Sequence, residues 1–320
     1  VRIGILSNLQ AGGNGALVAR VLDRLAKYPD IVHVETEHSH VALDALRELA
    51  GAGIDILVIN GGDGTLQHSL TEVLGATSPF AKPPLVAPLR TGRTCMTALD
   101  IGSARDGVAA LDRLVWLAAS GRAESAVVDR AVLHLILEPD GIDHYGTFFG
   151  GGVIYRAILL AHRLFPKEKG QGVLGSGLVT AGLLARATLG KAGHILDPDS
   201  IDTVLDRQQL PQRQFQLFIA TTLRRLFMRM RPFWGTGPGG LHFTATVPGA
   251  LRHPLAAARI LTGRAPRRGV EDPRYISRNV EEILLRMDCG ATLDGELFEP
   301  RPGRSARLLS DRRVRFLSTR

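Results

Sequence analysis

Apolar residues fall into short compact runs in the first third of the chain. Arg2 to Leu6, Ile31 to Thr36, Ile56 to Ile59 and Leu85 to Leu89 each read as a strand. Ile56 to Ile59 is continuously apolar, the pattern of a strand buried on both faces of a parallel sheet. Between these runs the apolar period changes to that of a helix. Leu17, Val18, Val21, Leu22 and Leu25 share one helical face, as do Ala42, Ala45, Leu46 and Leu49, then Leu66, Leu70, Val73 and Leu74. Cys95 to Ile101 and Ala109 to Ala119 continue the series, and Gly121 stops it. Strands alternating with helices predict an open, doubly wound parallel sheet. Ligands of such sheets sit outside the carboxyl ends of the strands.

Beyond Glu124 the pattern becomes that of a β-rich domain. Ala126 to Asp129, Ala131 to Glu138, His144 to Phe149, Phe215 to Ile219, Leu241 to Val247 and Glu282 to Asp288 read as strands. Pro139-Asp140-Gly141 reads as a turn, and Gly150-Gly151-Gly152 precedes a helix over Val153 to Leu164. Val173 to Leu189 is a further helix candidate. The expected organisation is an α/β domain over 1–124 and a mostly β, sandwich-like domain over 125–303. The first domain is rejoined by about 304–320, through a last strand at Arg313 to Leu317.

Composition narrows the function classes. At 45% hydrophobic and 22% charged residues over 320 positions, the chain can bury a sizeable core. A net charge of +8 favours an anionic partner: a nucleotide, a phospholipid surface or a nucleic acid. Arginine greatly outnumbers lysine, so an arginine-rich proteome is the plain alternative. The two cysteines, Cys95 and Cys289, are far apart and form no metal or redox motif, which points to a reducing compartment. Val1 to Leu6 reads as a strand rather than a signal peptide. No apolar run reaches the ~18 residues that span a bilayer.

The chemistry concentrates where the third strand ends. Asn60 is followed by Gly61-Gly62-Asp63-Gly64-Thr65, and then by a helix. Glycines let the backbone turn and let a phosphate approach closely, and a helix N-terminus favours an anion. A tight turn alone would explain the glycines. Asp63 weighs against that, since a carboxylate beside a phosphate is repulsive unless a metal or a transferable proton is present. No Gly-Lys-Ser/Thr follows, so this is not a Walker loop. The first strand ends likewise in Ser7-Asn8 and a glycine-rich loop, where Asn8 either meets a phosphate or caps the turn. His38 and His40 alone do not make a metal site.

Gly61-Gly-Asp-Gly-Thr65 after an apolar strand resembles the signature of the diacylglycerol kinase and NAD kinase superfamily. Leu293-Asp294-Gly295-Glu296 matches the Asp-Gly-Glu element of the lipid kinases, although Asp-Gly by itself is a routine turn. Asn8 and Gly12 match an Asn-Pro-x-x-Gly loop in which Leu9 replaces the proline. Pro88, Thr91 and Gly92 match Pro-x-Gly-Thr-Gly-Asn, with Arg90 and Arg93 in place of the first glycine and the asparagine. Gly239-Gly240 stands where an Asp-Gly is common, and the resemblance implies a glycine turn at Gly150 to Gly152.

The resemblance implies an ATP- and Mg²⁺-dependent kinase acting on a lipid hydroxyl, with diacylglycerol, ceramide or a sphingoid base as acceptors. Asp294 would be the general base, and Asp63 would serve catalysis at the phosphates. Asn8, Thr36, Gly61, Gly62, Gly64, Thr65, Thr91, Gly92, Arg93 and Glu296 would hold the nucleotide or its metal network. Asp129 would lie near the metal. The implied location is cytoplasmic, peripheral at the inner membrane surface, with the lipid met at an anionic bilayer.

The segment Leu223 to Trp234, mixing arginines with large apolar residues, suits an anionic bilayer. Nucleic acid is not the expected partner, because no known module for it is present. Unpaired edge strands would permit a homodimer. An NAD kinase is the alternative enzyme; against it, Pro88-Leu-Arg-Thr-Gly resembles the lipid branch. A non-catalytic lipid-binding protein on a kinase scaffold is the other alternative.

Overall fold

The computed structural model describes residues 1–9, 15–36, 42–92, 94–139, 141–164, 193–252, 254–265 and 272–320. The helix expected at Val173 to Leu189, and Gly12, His38, His40 and Arg93, lie outside them. The described residues divide into two units, one of Val1–Arg130 with Arg313–Arg320, the other of residues 131–164 and 193–312. The chain passes between them within two strands, β5 (Val127–Glu138) and β17 (Arg304–Leu317).

The first unit is the predicted doubly wound sheet. Its strands β1 (Ile3–Asn8), β2 (Val32–Thr36), β3 (Ile56–Asn60) and β4 (Leu85–Pro88) run parallel in the order β4-β3-β1-β2. The end of β17 adds beside β4, with Phe316 opposite Val86. Five helices follow these strands: α1 (Gly15–Leu25), α2 (Ala42–Gly51), α3 (Asp63–Leu74), α4 (Met96–Ile101) and α5 (Gly107–Ala119).

Side chains alternate across a strand, so neighbours in β1 face opposite layers. Ile3 and Ile5 join Val21 of α1 and Ala110, Leu111 and Leu114 of α5 in one core. Gly4, between them, faces α2, and a Cβ there would lie 2.9 Å from Leu49 Cδ2. Helices therefore cover both faces. The register sets Asn8 opposite Thr36 and Ser7 opposite Asn60, which aligns the polar carboxyl ends of β1, β2 and β3.

The second unit is mainly antiparallel. One sheet has the order β13-β12-β11-β7-β15-β16, formed by Tyr275–Val280, Leu241–Thr246, Leu217–Thr221, Phe148–Gly152, Ala291–Leu293 and Glu296–Phe298. A second set comprises β8 (Asp199–Leu205) between β14 (Glu282–Met287) and β10 (Gln214–Phe215), with the β5–β6 hairpin (β6, Ile142–Gly146) and β9 (Gln208–Gln209). Leu133, Leu135 and Leu137 of β5 and Ile283, Leu285 and Met287 of β14 meet Phe149, Phe218 and Phe243 in one core. Two helices are described in this unit, α6 (Val153–Leu164) and α7 (Pro254–Leu261).

Three local expectations change. Ala126–Asp129 and Ala131–Glu138 are not separate strands; a short 3-10 turn at Ala123–Ala126 leads into the single strand β5. His144–Phe149 is interrupted at Thr147, whose N–H turns away to a carboxylate. Gly150-Gly151-Gly152 is not a turn but part of β7, with Gly150 and Gly151 paired on both sides. The reason is steric: a Cβ on Gly151 would lie 2.0 Å from Cζ of Phe218 on the adjacent strand.

Candidate functional site

Two clusters of the predicted residues are assembled, one in each unit. In the first unit the β3–α3 loop carries Gly61 to Thr65. Gly62 is the N-cap of α3 and offers no side-chain cap. No capping side chain from Gly62 occupies the first N–H groups of the helix, which suits an external anion. Thr65 is buried, and its Oγ1 accepts the Asn8 amide at 2.9 Å. Asn8 thereby ties the end of β1 to the start of α3. Thr36 is buried opposite Asn8, where its carbonyl accepts the Leu9 N–H at 3.1 Å.

The β4–α4 loop closes against this turn. Thr91 Oγ1 donates to the Gly61 carbonyl at 3.3 Å. A Cβ on Gly92 would lie 2.4 Å from Gly62 Cα, and one on Gly61 would lie 2.8 Å from Thr65 Oγ1. Gly92 is therefore demanded by loop-on-loop packing, and Gly61 by its approach to the Thr65 side chain, apart from any ligand.

Asp63 points into the same junction. Its carboxylate accepts the Thr94 hydroxyl and the backbone N–H groups of Cys95, Met96 and Thr97 at the start of α4. Burial pushes the Asp63 carboxyl above the usual range, and these hydrogen bonds oppose that shift without cancelling it. Asp63 serves as the cap of a neighbouring helix whose own N-cap, Cys95, is left-handed at φ 46°.

Behind the loops lies a buried polar chain. Ser7 Oγ is 3.1 Å from Asn60 Nδ2 and 2.9 Å from His33 Nε2. Burial lowers the His33 pKa, although Glu35 pulls it upward. A neutral ring then accepts the Ser7 hydroxyl proton at Nε2 while Ser7 accepts from Asn60. Sequence reasoning missed His33, Ser7 and Thr94; polar residues at strand ends were the available signal.

In the second unit Asp294 and Gly295 form the two-residue turn between β15 and β16, with φ of 49° and 97°. Positive φ at both positions is the hairpin geometry that Asp-Gly favours. The Asp294 side chain is buried and well held. Thr147 N–H donates to Oδ2 at 2.8 Å, while Thr147 Oγ1 and Phe148 N–H donate to Oδ1 at 2.9 and 3.0 Å. A Cβ on Gly146 would lie 2.5 Å from Asp294 Oδ2. Gly146 and Thr147 were missed because an isolated Gly-Thr carries no signal. Glu296 begins β16, opposite Leu293 and half-buried.

Asp129 is elsewhere engaged. Its Oδ1 accepts Arg313 Nε at 2.7 Å in an exposed pair. Among the described residues, no group of three or more His, Cys, Asp or Glu side chains is placed to hold a metal ion.

Residues 2–122 match the diacylglycerol kinase catalytic domain family. The family expected from the glycine–aspartate loop is thus the one found, over the segment that carries that loop. No curated protein matches the chain. Among solved structures, a provisionally assigned diacylglycerol kinase from Bacillus anthracis str. Sterne superposes with a TM-score of 0.68 at 16% identity, covering 99% of this chain and 95% of that one. A diacylglycerol kinase structure from the same organism gives a TM-score of 0.62 at 12% identity, covering 99% and 96%. At such identities the likeness establishes the fold: a parallel α/β unit followed by an antiparallel β unit.

Proposed function

We propose that the protein is a lipid kinase that transfers the γ-phosphoryl group of ATP to a lipid hydroxyl. The observation that carries this reading is the uncapped N-terminus of α3, presented by Gly61 to Gly64 within the diacylglycerol kinase catalytic domain match. Phosphoryl transfer is mainly positioning plus charge stabilisation. Here the α3 N–H groups receive phosphate oxygens, Asn8 fixes Thr65, and Asp63 fixes the β4–α4 loop through α4. Asp294 takes the proton of the acceptor hydroxyl, its carboxylate oriented by Thr147 and Phe148.

Mg²⁺ supplies neutralisation of phosphate charge when bound. Asp129 would hold the ion in exchange for its exposed pair with Arg313, while Asp63 is kept at the β4–α4 loop by its hydrogen bonds. The acceptor is met at an anionic membrane surface. Support comes from the Leu223 to Trp234 segment, where Met228 is 69% exposed beside exposed Arg224, Arg229 and Arg231. Among the described residues, no helix is long and apolar enough to cross a membrane.

The test is incubation with labelled ATP, Mg²⁺ and micelles of diacylglycerol, ceramide or a sphingoid base, beside Asp63→Ala and Asp294→Asn. A phosphorylated lipid that vanishes in both variants is expected. Phosphorylation of NAD with no lipid product would overturn the reading in favour of an NAD kinase.

A further inference from the structure

The first unit holds a second feature, whose arginines the glycine-loop chemistry does not use. An opening of about 280 Å³ lies among α1, the β4–α4 loop and the start of α5. Its wall carries three guanidinium groups, Arg20, Arg90 and Arg105, together with Thr91, Asp106 and Gly107. These residues are far apart in sequence, so the fold has gathered them. Helix α5 runs for 13 residues from Gly107, and the positive end of its dipole meets the opening.

The balance of charge on this wall is positive. Asp106 is the one carboxylate among the described residues that line it, and it is occupied. One oxygen accepts the Val108 N–H at 3.0 Å, and the other faces Arg20 Nη2 at 3.4 Å. Arg90 and Arg105 have no ion-pair partner among the described residues. The volume is slightly below the roughly 300 Å³ lower bound for sites of drug-sized ligands, so the opening suits a small anion. Guanidinium forks match the oxygens of a phosphate.

We propose that this arginine-lined opening is a phosphate-binding pocket, taking a phosphate monoester or a diphosphate group. It is coupled to the glycine loop through Thr91, which lines the opening and donates to the Gly61 carbonyl at 3.3 Å. An anion held by Arg90 therefore bears on the loop that packs over Gly62.

The test is calorimetric titration of the full chain with pyrophosphate at low salt. Two sites are expected, because the N-terminus of α3 also takes phosphate oxygens; only the one in this opening is weakened, by roughly tenfold, in Arg90→Gln and in Arg105→Gln, the scale of one charge-assisted contact. Asp106→Asn, which removes the repelling charge and keeps a capping side chain, is expected to tighten binding severalfold. Arg207→Gln, in the second unit, leaves it unchanged. Melting curves show whether each variant is folded.

Competition identifies the source of the phosphate: ATP, inorganic phosphate or a short-chain phosphatidic acid displaces pyrophosphate according to which is the natural occupant. Failure of the wild type to bind pyrophosphate or inorganic phosphate, or unchanged affinity in a folded Arg90→Gln/Arg105→Gln double variant, overturns the proposal. Neither result depends on lipid phosphorylation, so the pocket and the kinase reading stand or fall separately.

Discussion

Thr147 holds both oxygens of Asp294, its N–H on Oδ2 at 2.8 Å and its hydroxyl on Oδ1 at 2.9 Å. The carboxylate of a hairpin turn is thus fixed by the junction of two other strands. The Thr147 carbonyl is itself fixed, accepting the Thr221 hydroxyl at 2.7 Å and the Thr222 N–H at 3.1 Å. Thr147→Val keeps the shape and removes one donor. The expected stability loss is about 1 kcal/mol, measured by denaturant unfolding. If Asp294 is the base, kcat falls more steeply than stability while KM for ATP is little changed.

Gly92 and Gly62 meet backbone to backbone, and Gly92→Ala would set a Cβ 2.4 Å from Gly62 Cα. Neither partner is a flexible side chain, so the strain must be taken up by moving a loop. A destabilisation of about 1–3 kcal/mol is expected from such overpacking, with loss of nucleotide binding. Gly51→Ala, at the end of α2 with nothing within 4 Å of the new Cβ, is the control and is expected to hold or raise the melting temperature.

Legibility in the sequence followed burial. Strand β3 is a continuous apolar run because it is covered on both faces, and β1 and β4 are nearly so. Strands β8 and β13 escaped because polar residues interrupt both, as in Asp199-Ser-Ile-Asp and Ser277-Arg-Asn. Gly150 to Gly152 misled for a physical reason. Glycine marks turns in most chains, yet here it clears space for the Phe218 ring inside a sheet. The glycine–aspartate loop and the Asp294 turn were readable as motifs. Their supports, Thr94, Gly146 and Thr147, were not, because each acts through a contact long in sequence.

Cys95 and Cys289 are both free thiols, and burial pushes each up to about 12. Thiolate is the reactive form, so both are expected to resist a disulfide reagent at pH 8 in the native protein. Unfolding in denaturant is expected to release two reactive thiols. Rapid labelling of either cysteine without denaturant would contradict this account of their surroundings.

His33 gives the chain a pH dependence of definite sign. Its folded pKa lies below the ordinary histidine value of about 6.5, chiefly because the ring is partly buried beside Ser7. As pH falls below about 6.5, the unfolded chain takes up a proton that the folded chain resists. Stability is therefore full above that pH and declines as pH drops through the lowered folded value. Protonation also places a second donor at Nε2, where the Ser7 hydroxyl must then turn to accept, competing with Asn60 Nδ2. A His33→Gln variant, measured by urea unfolding from pH 7.5 down to about pH 5, is expected to lose this component of the slope while the rest of the acid sensitivity remains. A wild type and variant with parallel slopes over that range would show that His33 is not held neutral. The polar chain Asn60–Ser7–His33 would then have to run with the opposite donor order.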